Sequence, residues 1–348
     1  MAPLRCAVAG LGLGQAWAQL IKASPEFELA GLIDVDRARL DQFGEQVGVL
    51  PEARFGDFDR ALASLQTDVR ADIIVVVTPP TLHRDNVLAA LDAGYHVLSE
   101  KPLAASMTEA REIARAAEKA RGKYMVSQNY RWQDPVATVR QAIVGGAIGE
   151  VGYATCGFHK GFRFGGWREA LPDVLLEDMS IHHFDLLRHL TGRDCLRVYA
   201  HSFHPRWSWF AGNPAACVVL EMEGGVEVSY FGSWVSRGRE TSWAGEYRIV
   251  GDRGAIHWDG PETALVLGHP EDNPQDPPLE SSPLTPVKLE HTGFAYSLHE
   301  LAAAIREDRE PVTGARDNIQ SFAMAMAAIE SARSGRPVDV QEYLREGA

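Results

Sequence analysis

Residues 4–23, LRCAVAGLGLGQAWAQLIKA, carry the reading on which the fold turns. The apolar hexamer Leu4–Ala9 runs straight into Gly10-Leu11-Gly12-Leu13-Gly14-Gln15, and then into a stretch with apolar residues at helical spacing. A short buried strand, a glycine turn and a helix together make a place for a pyrophosphate. Glycine permits the tight turn, and backbone N–H groups at the helix N-terminus face the anion. The usual third glycine would fall at Gln15, and here Gly14 stands one place before it. Asp34 closes the next strand, 24 residues beyond Gly10. A carboxylate there accepts hydrogen bonds from an adenosine ribose diol and repels a 2′-phosphate. The expected cofactor is NAD in preference to NADP, with Arg37 and Arg39 near enough in sequence to soften that preference.

Working outward, short runs rich in Val, Ile and Leu alternate with amphipathic stretches. Leu4–Ala9, Glu28–Ile33, Asp72–Val77, His96–Ser99 and Lys123–Val126 read as buried parallel strands. Gln15–Ala23, Arg37–Val47, Phe58–Leu65, Arg84–Ala93 and Met107–Arg121 read as the helices between them, with Gly94 as a C-terminal stop. Repeated strand–helix–strand units imply an α/β doubly wound parallel sheet of Rossmann type. Past residue 127 the rhythm changes. Helices are expected at Pro135–Val144 and Val174–Leu190, and a strand near Val151–Phe158. Strands Ala215–Met222 and Val226–Val235 flank a hairpin turn, Glu223-Gly224-Gly225. Tyr247–Val250, Ala255–Trp258 and Ala264–Leu267 read as further strands, and Phe294–Arg306 and Asn318–Arg333 as closing helices. Residues 268–286, proline-rich and acidic, read as a surface excursion within this part. The expected division is a Rossmann domain over 1–126 and an α/β substrate and oligomerisation domain over 127–348.

Composition excludes several partners. With 34 basic against 47 acidic residues the formal charge is −13, which disfavours nucleic acid and anionic membrane surfaces. No apolar run reaches the length of a membrane span and no signal segment precedes the first strand, so a cytoplasmic location is expected. Cys6, Cys156, Cys195 and Cys217 are scattered without a CxxC pair, and read as small buried hydrophobes; no metal is expected.

Two more segments sharpen the reading. Thr78-Pro79-Pro80-Thr81-Leu82-His83 follows the third main strand, and Glu100-Lys101-Pro102 follows the fourth. With the glycine turn, the pair Asp178-x-x-x-His182 and the tail GARDNIQSFAMAMAAIESARSGRPV (Gly314–Val338), the chain resembles the glucose–fructose oxidoreductase/inositol dehydrogenase (Gfo/Idh/MocA) family over nearly its whole length. The resemblance implies a C-terminal α/β domain with a large, mostly antiparallel sheet that often mediates oligomerisation, and final helices that pack back on the first domain. A homodimer or homotetramer is therefore expected.

Lys101 sits just past a parallel strand, where open α/β sheets bind ligands, and a lysine there can stabilise charge on a reacting oxygen. The resemblance makes it the catalytic lysine. Asp178 and His182 are four apart on a helix, so they share a face, and the polar stripe continues through Asp185 and His189. A histidine can take a proton from an alcohol near neutral pH, and an aspartate can hold it oriented. The resemblance maps both onto the site. His183 falls instead among Met179, Leu186 and Leu190, where a neutral packed ring is expected.

The cofactor is expected at Gly10, Gly12, Leu13, Gly14, Gln15, Asp34, Arg37, Thr78, Pro79, Pro80, His83, Glu100 and Lys101, and, by resemblance, at Asn129, Trp167 and Arg168. Substrate contacts are expected from Lys101, Arg131, His159, Asp178, His182 and Tyr296, with Lys160 and Arg163 as further pocket candidates. The implied activity is NAD(P)-dependent oxidation or reduction of a secondary alcohol on a sugar, cyclitol or related polyol. Two alternatives stand beside it: a glycosidase that oxidises transiently with bound NAD, and a non-catalytic dinucleotide sensor, to which Lys101, Asp178 and His182 would be superfluous.

Overall fold

The computed structural model describes residues 2–260, 264–268 and 281–345. It divides into two compact units, one of Met1–Asn129 with His291–Ile319 and one of Tyr130–Glu290 with Gln320–Ala348.

The first unit runs β1 (Leu4–Ala9), α1 (Gly14–Ala23), β2 (Phe27–Ile33), α2 (Arg37–Val47), β3 (Arg54–Phe55), α3 (Phe58–Thr67), β4 (Ile73–Val76), α4 (His83–Asp92), β5 (His96–Glu100), α5 (Met107–Lys119) and β6 (Tyr124–Ser127). The strands pair in the order β3-β2-β1-β4-β5-β6, every pair parallel. The order reverses between β1 and β4, which is where an open sheet of this kind leaves a crevice at the strands' carboxyl ends. Val8, Ile73, Val75 and Leu98 are fully buried, as the lack of alternation along these strands requires. The helix starts are signalled locally: Asp57 accepts from the Arg60 N–H at 2.8 Å and Ser106 from the Glu109 N–H at 3.3 Å.

The second unit contains α6 (Asp134–Val144), β7 (Val151–His159), a π-helical turn over Leu175–Met179 continuing into α7 (Ser180–Thr191), then β8 (Cys195–Phe203), β9 (Ala215–Met222), β10 (Val226–Ser233), β11 (Glu246–Gly251), β12 (Gly254–Trp258), β13 (Ala264–Gly268) and β14 (Ser281–Pro283). The chain then adds α8 (Gly293–Glu307) to the first unit. Helix α9 (Ala315–Ser334) begins there and ends in the second unit, followed by β15 (Val338–Asp339) and α10 (Val340–Leu344). A nine-stranded sheet is ordered β14-β13-β12-β11-β7-β10-β9-β8-β15, and β7–β10 is its parallel pair among antiparallel ones. The fold is thus a Rossmann-type parallel sheet plus a mixed, mostly antiparallel one. The Glu223–Gly225 turn joins β9 to β10 with Met222 opposite Val226. Most of the proline-rich stretch lies outside the described residues, while Ser281–Pro283 pairs with β13.

One face of the large sheet is buried through Phe158, Val198, Val218, Leu220, Tyr230 and Ile249. α7 covers it: Phe184 meets the Tyr230 ring at 5.3 Å and His183 meets Phe158 at 4.7 Å between centroids. The other face leaves Tyr153, Tyr199, Val219 and Phe231 exposed. Cys217 shares that outward face beside Val219 on β9, so it is exposed, against the expectation of a buried residue, whereas Cys6, Cys156 and Cys195 are buried.

Candidate active site

Gly10 has φ +92°, and a Cβ there would lie 2.6 Å from the Val77 carbonyl oxygen, so the turn into α1 admits no side chain at this point. At Gly14 a Cβ would press on Val8 Cγ1 at 3.0 Å, which gives this residue the close helix–strand packing that a third fingerprint glycine normally serves. A Cβ at Gly12 would meet nothing within 4 Å. The backbone there is open to a ligand, and α1 starts two residues later, so the turn fits a dinucleotide pyrophosphate. The Gln15 amide donates back to the Leu11 carbonyl at 3.0 Å, which fixes the turn from within.

Asp34 is buried, and its carboxylate accepts the Leu11 N–H at 2.6 Å and the Asp36 N–H at 2.8 Å. It is thereby held between the glycine turn and the start of α2. The arginine beside it is Arg39, 3.6 Å from Asp34 and 3.3 Å from Asp36. Arg37 turns to Asp41 at 2.9 Å.

The turns after β4 and β5 are laced together by His83. Its ring nitrogens face the carbonyl oxygens of Pro102 at 2.8 Å and Thr78 at 2.9 Å, and Asn86 donates to the Thr78 hydroxyl at 3.0 Å. His83 is buried, which pulls its pKa down even though both neighbours are acceptors that favour a proton. Its ring is engaged by the turns themselves. Glu100 is likewise structural in its contacts, accepting from the Trp17 indole at 2.9 Å and the Lys101 N–H at 3.3 Å. Burial pushes its pKa up to about 7 against those bonds. Lys101 follows at the carboxyl end of β5, partly exposed, and joins Pro102 through a cis peptide. Gln128, just past β6, is 1% exposed, and neither end of its amide has a partner among the described residues. An orphaned buried amide at this end of the sheet asks for a ligand or water. Sequence reasoning passed over it because a glutamine has no charge to flag it.

In the second unit, the polar groups of α7 separate into two kinds. Arg131 grips Asp185 through two bonds of 2.6 Å, and the Ser321 hydroxyl donates to the same carboxylate at 2.6 Å. This buried pair is a brace between the turn Asn129–Arg131 and α7. Arg188 is held by Asp194 at 2.5 Å. His183 is fully buried, with Nδ1 3.1 Å from the Tyr230 hydroxyl and Nε2 3.1 Å from the Trp243 carbonyl oxygen. The carbonyl requires Nε2 to carry the proton, and the tyrosine donates to Nδ1. Burial lowers the His183 pKa to about 4, so the ring is neutral. His189 is pushed down to about 3 by burial and then by the charge of Arg131.

Asp178 and His182 are set differently. Asp178 lies on the π-turn and is met by the Arg168 guanidinium at 3.1 Å. That guanidinium rests over the Trp167 ring at 4.5 Å, which gives the Trp-Arg pair a shared task. His182 is 6% exposed and stacks on Tyr130 with centroids 4.1 Å and planes 15° apart. Burial, and then the Asp178 charge, raises the Tyr130 pKa to about 12, which keeps the phenol protonated beside the imidazole. π-Turns are rare and concentrate at functional sites.

The other expected residues have contacts and settings of their own. His159 is on the sheet face opposite α7, alternating with buried Phe158, and stacks on Phe231 at 5.4 Å. Lys160 pairs with Glu240 at 3.0 Å, and Arg163 lies over Trp209 at 4.5 Å. Tyr296 is half-buried on α8 in the first unit, its pKa raised by burial and by Glu300. Asn129 is half-buried at the start of the turn that carries Arg131.

Residues 4–128 match the oxidoreductase family with an NAD-binding Rossmann fold, and residues 136–257 match the GFO/IDH/MocA C-terminal domain. The chain belongs to the Gfo/Idh/MocA oxidoreductase family. An uncharacterized protein of Sinorhizobium fredii, y4oX, is 30% identical, covering 96% of this chain and 94% of its own. The D-apiose dehydrogenase of Paraburkholderia graminis is 28% identical over 92% of this chain and 84% of its own. A solved Agrobacterium radiobacter oxidoreductase, in complex with NAD+, L-tartaric acid and magnesium, superposes with a TM-score of 0.84. It is 25% identical, over 97% of this chain and 99% of that one. As a Gfo/Idh/MocA member the protein is an oxidoreductase with an NAD-binding Rossmann domain, and no described helix is long and apolar enough to cross a membrane.

Proposed function

We propose that this oxidoreductase is an NAD-dependent dehydrogenase acting on a secondary alcohol of a sugar, cyclitol or related polyol. A D-apiose dehydrogenase among its relatives supports the substrate class, and the placement of Asp34 supports NAD. The observation that carries the reading is the π-turn that sets Asp178 directly ahead of His182, at the start of a helix whose Asp185, Arg188 and His183 serve structural bonds.

His182 takes the hydroxyl proton, its ring fixed by Tyr130. Asp178, oriented by Arg168, stabilises the imidazolium that forms. Lys101 donates to the substrate oxygen and steadies charge as it develops. A bound nicotinamide supplies the hydride acceptor, and the glycine turn with Asp34 holds its dinucleotide. His83 and Glu100 act as positioning residues for the turn that bears Lys101. A panel of aldoses and polyols, D-apiose among them, offered with NAD and with NADP, tests the reading through absorbance of reduced nicotinamide. Turnover on alcohols with NAD supports it, and silence across the panel with intact NAD binding argues for a sensor.

The same reading places the protein in the cytoplasm, in keeping with four cysteines that form no disulfide. It also makes the protein a homodimer or homotetramer. Tyr199 and Val219 sit opposite one another on β8 and β9, and Phe231 pairs with Cys217, giving the open sheet face a contiguous apolar patch. Light scattering that returned a monomer mass at micromolar concentration would refute the assembly.

A further inference from the structure

Far from the glycine turn, the first unit gathers three metal-ligating side chains. Glu26 stands in the turn before β2, His299 lies on α8, and His291 precedes that helix by two residues. One ligand atom from each lies within 4.8 Å of the others. His299 Nδ1 is 3.1 Å from Glu26 Oε1, and the two imidazoles lie face to face with centroids 3.5 Å and planes 8° apart. The His299 side chain is 16% exposed and that of Glu26 40%, so the cluster sits at a half-buried edge that water reaches.

We propose that Glu26, His291 and His299 form a binding site for a divalent transition-metal ion of the zinc class. Two imidazole nitrogens and one carboxylate oxygen are the donor set of zinc, nickel or copper; magnesium and calcium ask for oxygen alone. Three protein ligands leave coordination open to water. Arg306 bonds Glu26 through Oε2, which leaves Oε1, on the His299 side, to the metal. The guanidinium charge opposes a cation and holds the affinity to a moderate value. Binding requires the two rings to fan out of their parallel stack, a rotation about the broad χ2 torsion that leaves the backbone in place.

The site's position indicates what it does. The Glu26 carbonyl accepts from the Leu4 N–H at 2.9 Å, at the amino end of β1, whereas Asp34 and the glycine turn lie at the carboxyl ends of β1 and β2. A metal there is remote from the reaction and acts on the fold. Leu298, Leu301 and Ala302 of α8 pack in one core with Trp17 and Phe27, so the ion clamps α8 to the sheet. A sequence search for metal motifs is blind to this set, because its members come from opposite ends of the chain.

The full chain, stripped with EDTA and titrated with zinc chloride by calorimetry and thermal melting, tests the proposal. One equivalent should bind, and Tm should rise by about 5 °C at roughly hundredfold excess over Kd. Magnesium should leave Tm unchanged. His291→Ala and His299→Ala should each weaken zinc at least about tenfold. The His299 ring also packs on Phe27 at 5.1 Å, so if that variant melts early His291→Ala decides alone. Absence of saturable zinc binding, or binding that survives His291→Ala undiminished, overturns the site and leaves an ion-pair cluster.

Discussion

The indole N–H of Trp17 donates to the buried carboxylate of Glu100 at 2.9 Å, tying the helix after the glycine turn to the strand that delivers Lys101. Burial raises the Glu100 pKa from 4.5 to about 7. The folded protein therefore keeps this proton over a range where the unfolded chain has lost it. Its contribution to stability is full below pH 4.5, declines as pH rises toward 7, and is gone above that. The difference amounts to at most about 3 kcal/mol. Glu100→Gln should flatten this part of the stability curve and melt no lower than the parent above pH 7. Melting curves from pH 4.5 to 8.5 read the effect, and parallel curves for the two proteins would show that Glu100 stays ionised.

Asp185 and Arg131 form a doubly bonded ion pair with almost no exposure. Removing either partner strands a buried charge, so Arg131→Ala or Asp185→Ala should cost about 3–5 kcal/mol of stability. Arg131→Met combined with Asp185→Leu should cost much less than the sum of the single changes. Denaturant titration of the three variants measures the coupling. Additive losses would contradict the brace.

His182 and His183 are neighbours with different fates. His182→Ala should lower kcat by roughly 10²–10⁴ and flatten the pH–rate profile near neutrality. His183→Ala should instead lower stability by about 2–4 kcal/mol, since it opens a cavity and orphans the Tyr230 hydroxyl. The His183 pKa is depressed from 6.5 to about 4, so its stabilisation is present above pH 6.5 and lost as pH falls toward 4. His183→Ala should therefore soften acid denaturation over that window. A neutral pH–rate dependence lost with His183→Ala and kept with His182→Ala would reverse the assignment.

Asp34 and Arg39 divide the choice of cofactor. With the carboxylate fixed by two backbone N–H groups, NAD should have the higher kcat/KM. Arg39→Ala should widen that preference by removing a guanidinium able to meet a 2′-phosphate, and Asp34→Ser should narrow it. Initial rates with both cofactors give the ratios. A parent enzyme that prefers NADP would show that Arg39 governs the site.

The first sheet was legible because its strands are buried on both faces and read as continuous apolar runs, and because glycines and Asp34 punctuate them. Expected Leu4–Ala9 and Arg37–Val47 coincide with β1 and α2. β8 escaped notice: its inward residues include the small Ala200 and Cys195, and a register shift between Cys195 and Arg197 breaks its alternation. β3 and β15 are two-residue pairings made by their neighbours, and β14, Ser281–Pro283, is wholly exposed. None of these has an apolar pattern to find. The shared face of Asp178 and His182 was inferred from 3.6 residues per turn, and the π-turn at Leu175–Met179 alters that geometry in a way periodicity does not encode. Which candidates have structural partners, as with Arg131, His83 and Glu100, depends on contacts between distant segments.

The most direct measurement is made on Lys101→Met, which removes the charge and keeps the bulk of the side chain. Dinucleotide affinity is followed by quenching of intrinsic fluorescence, and turnover by absorbance of reduced nicotinamide on the best alcohol of the panel. The account predicts that NAD binding stays nearly unchanged, held by the glycine turn and Asp34, while kcat falls by about 10²–10³. Unchanged turnover would remove Lys101 from the chemistry, and loss of NAD binding together with turnover would make it an anchor for the cofactor instead.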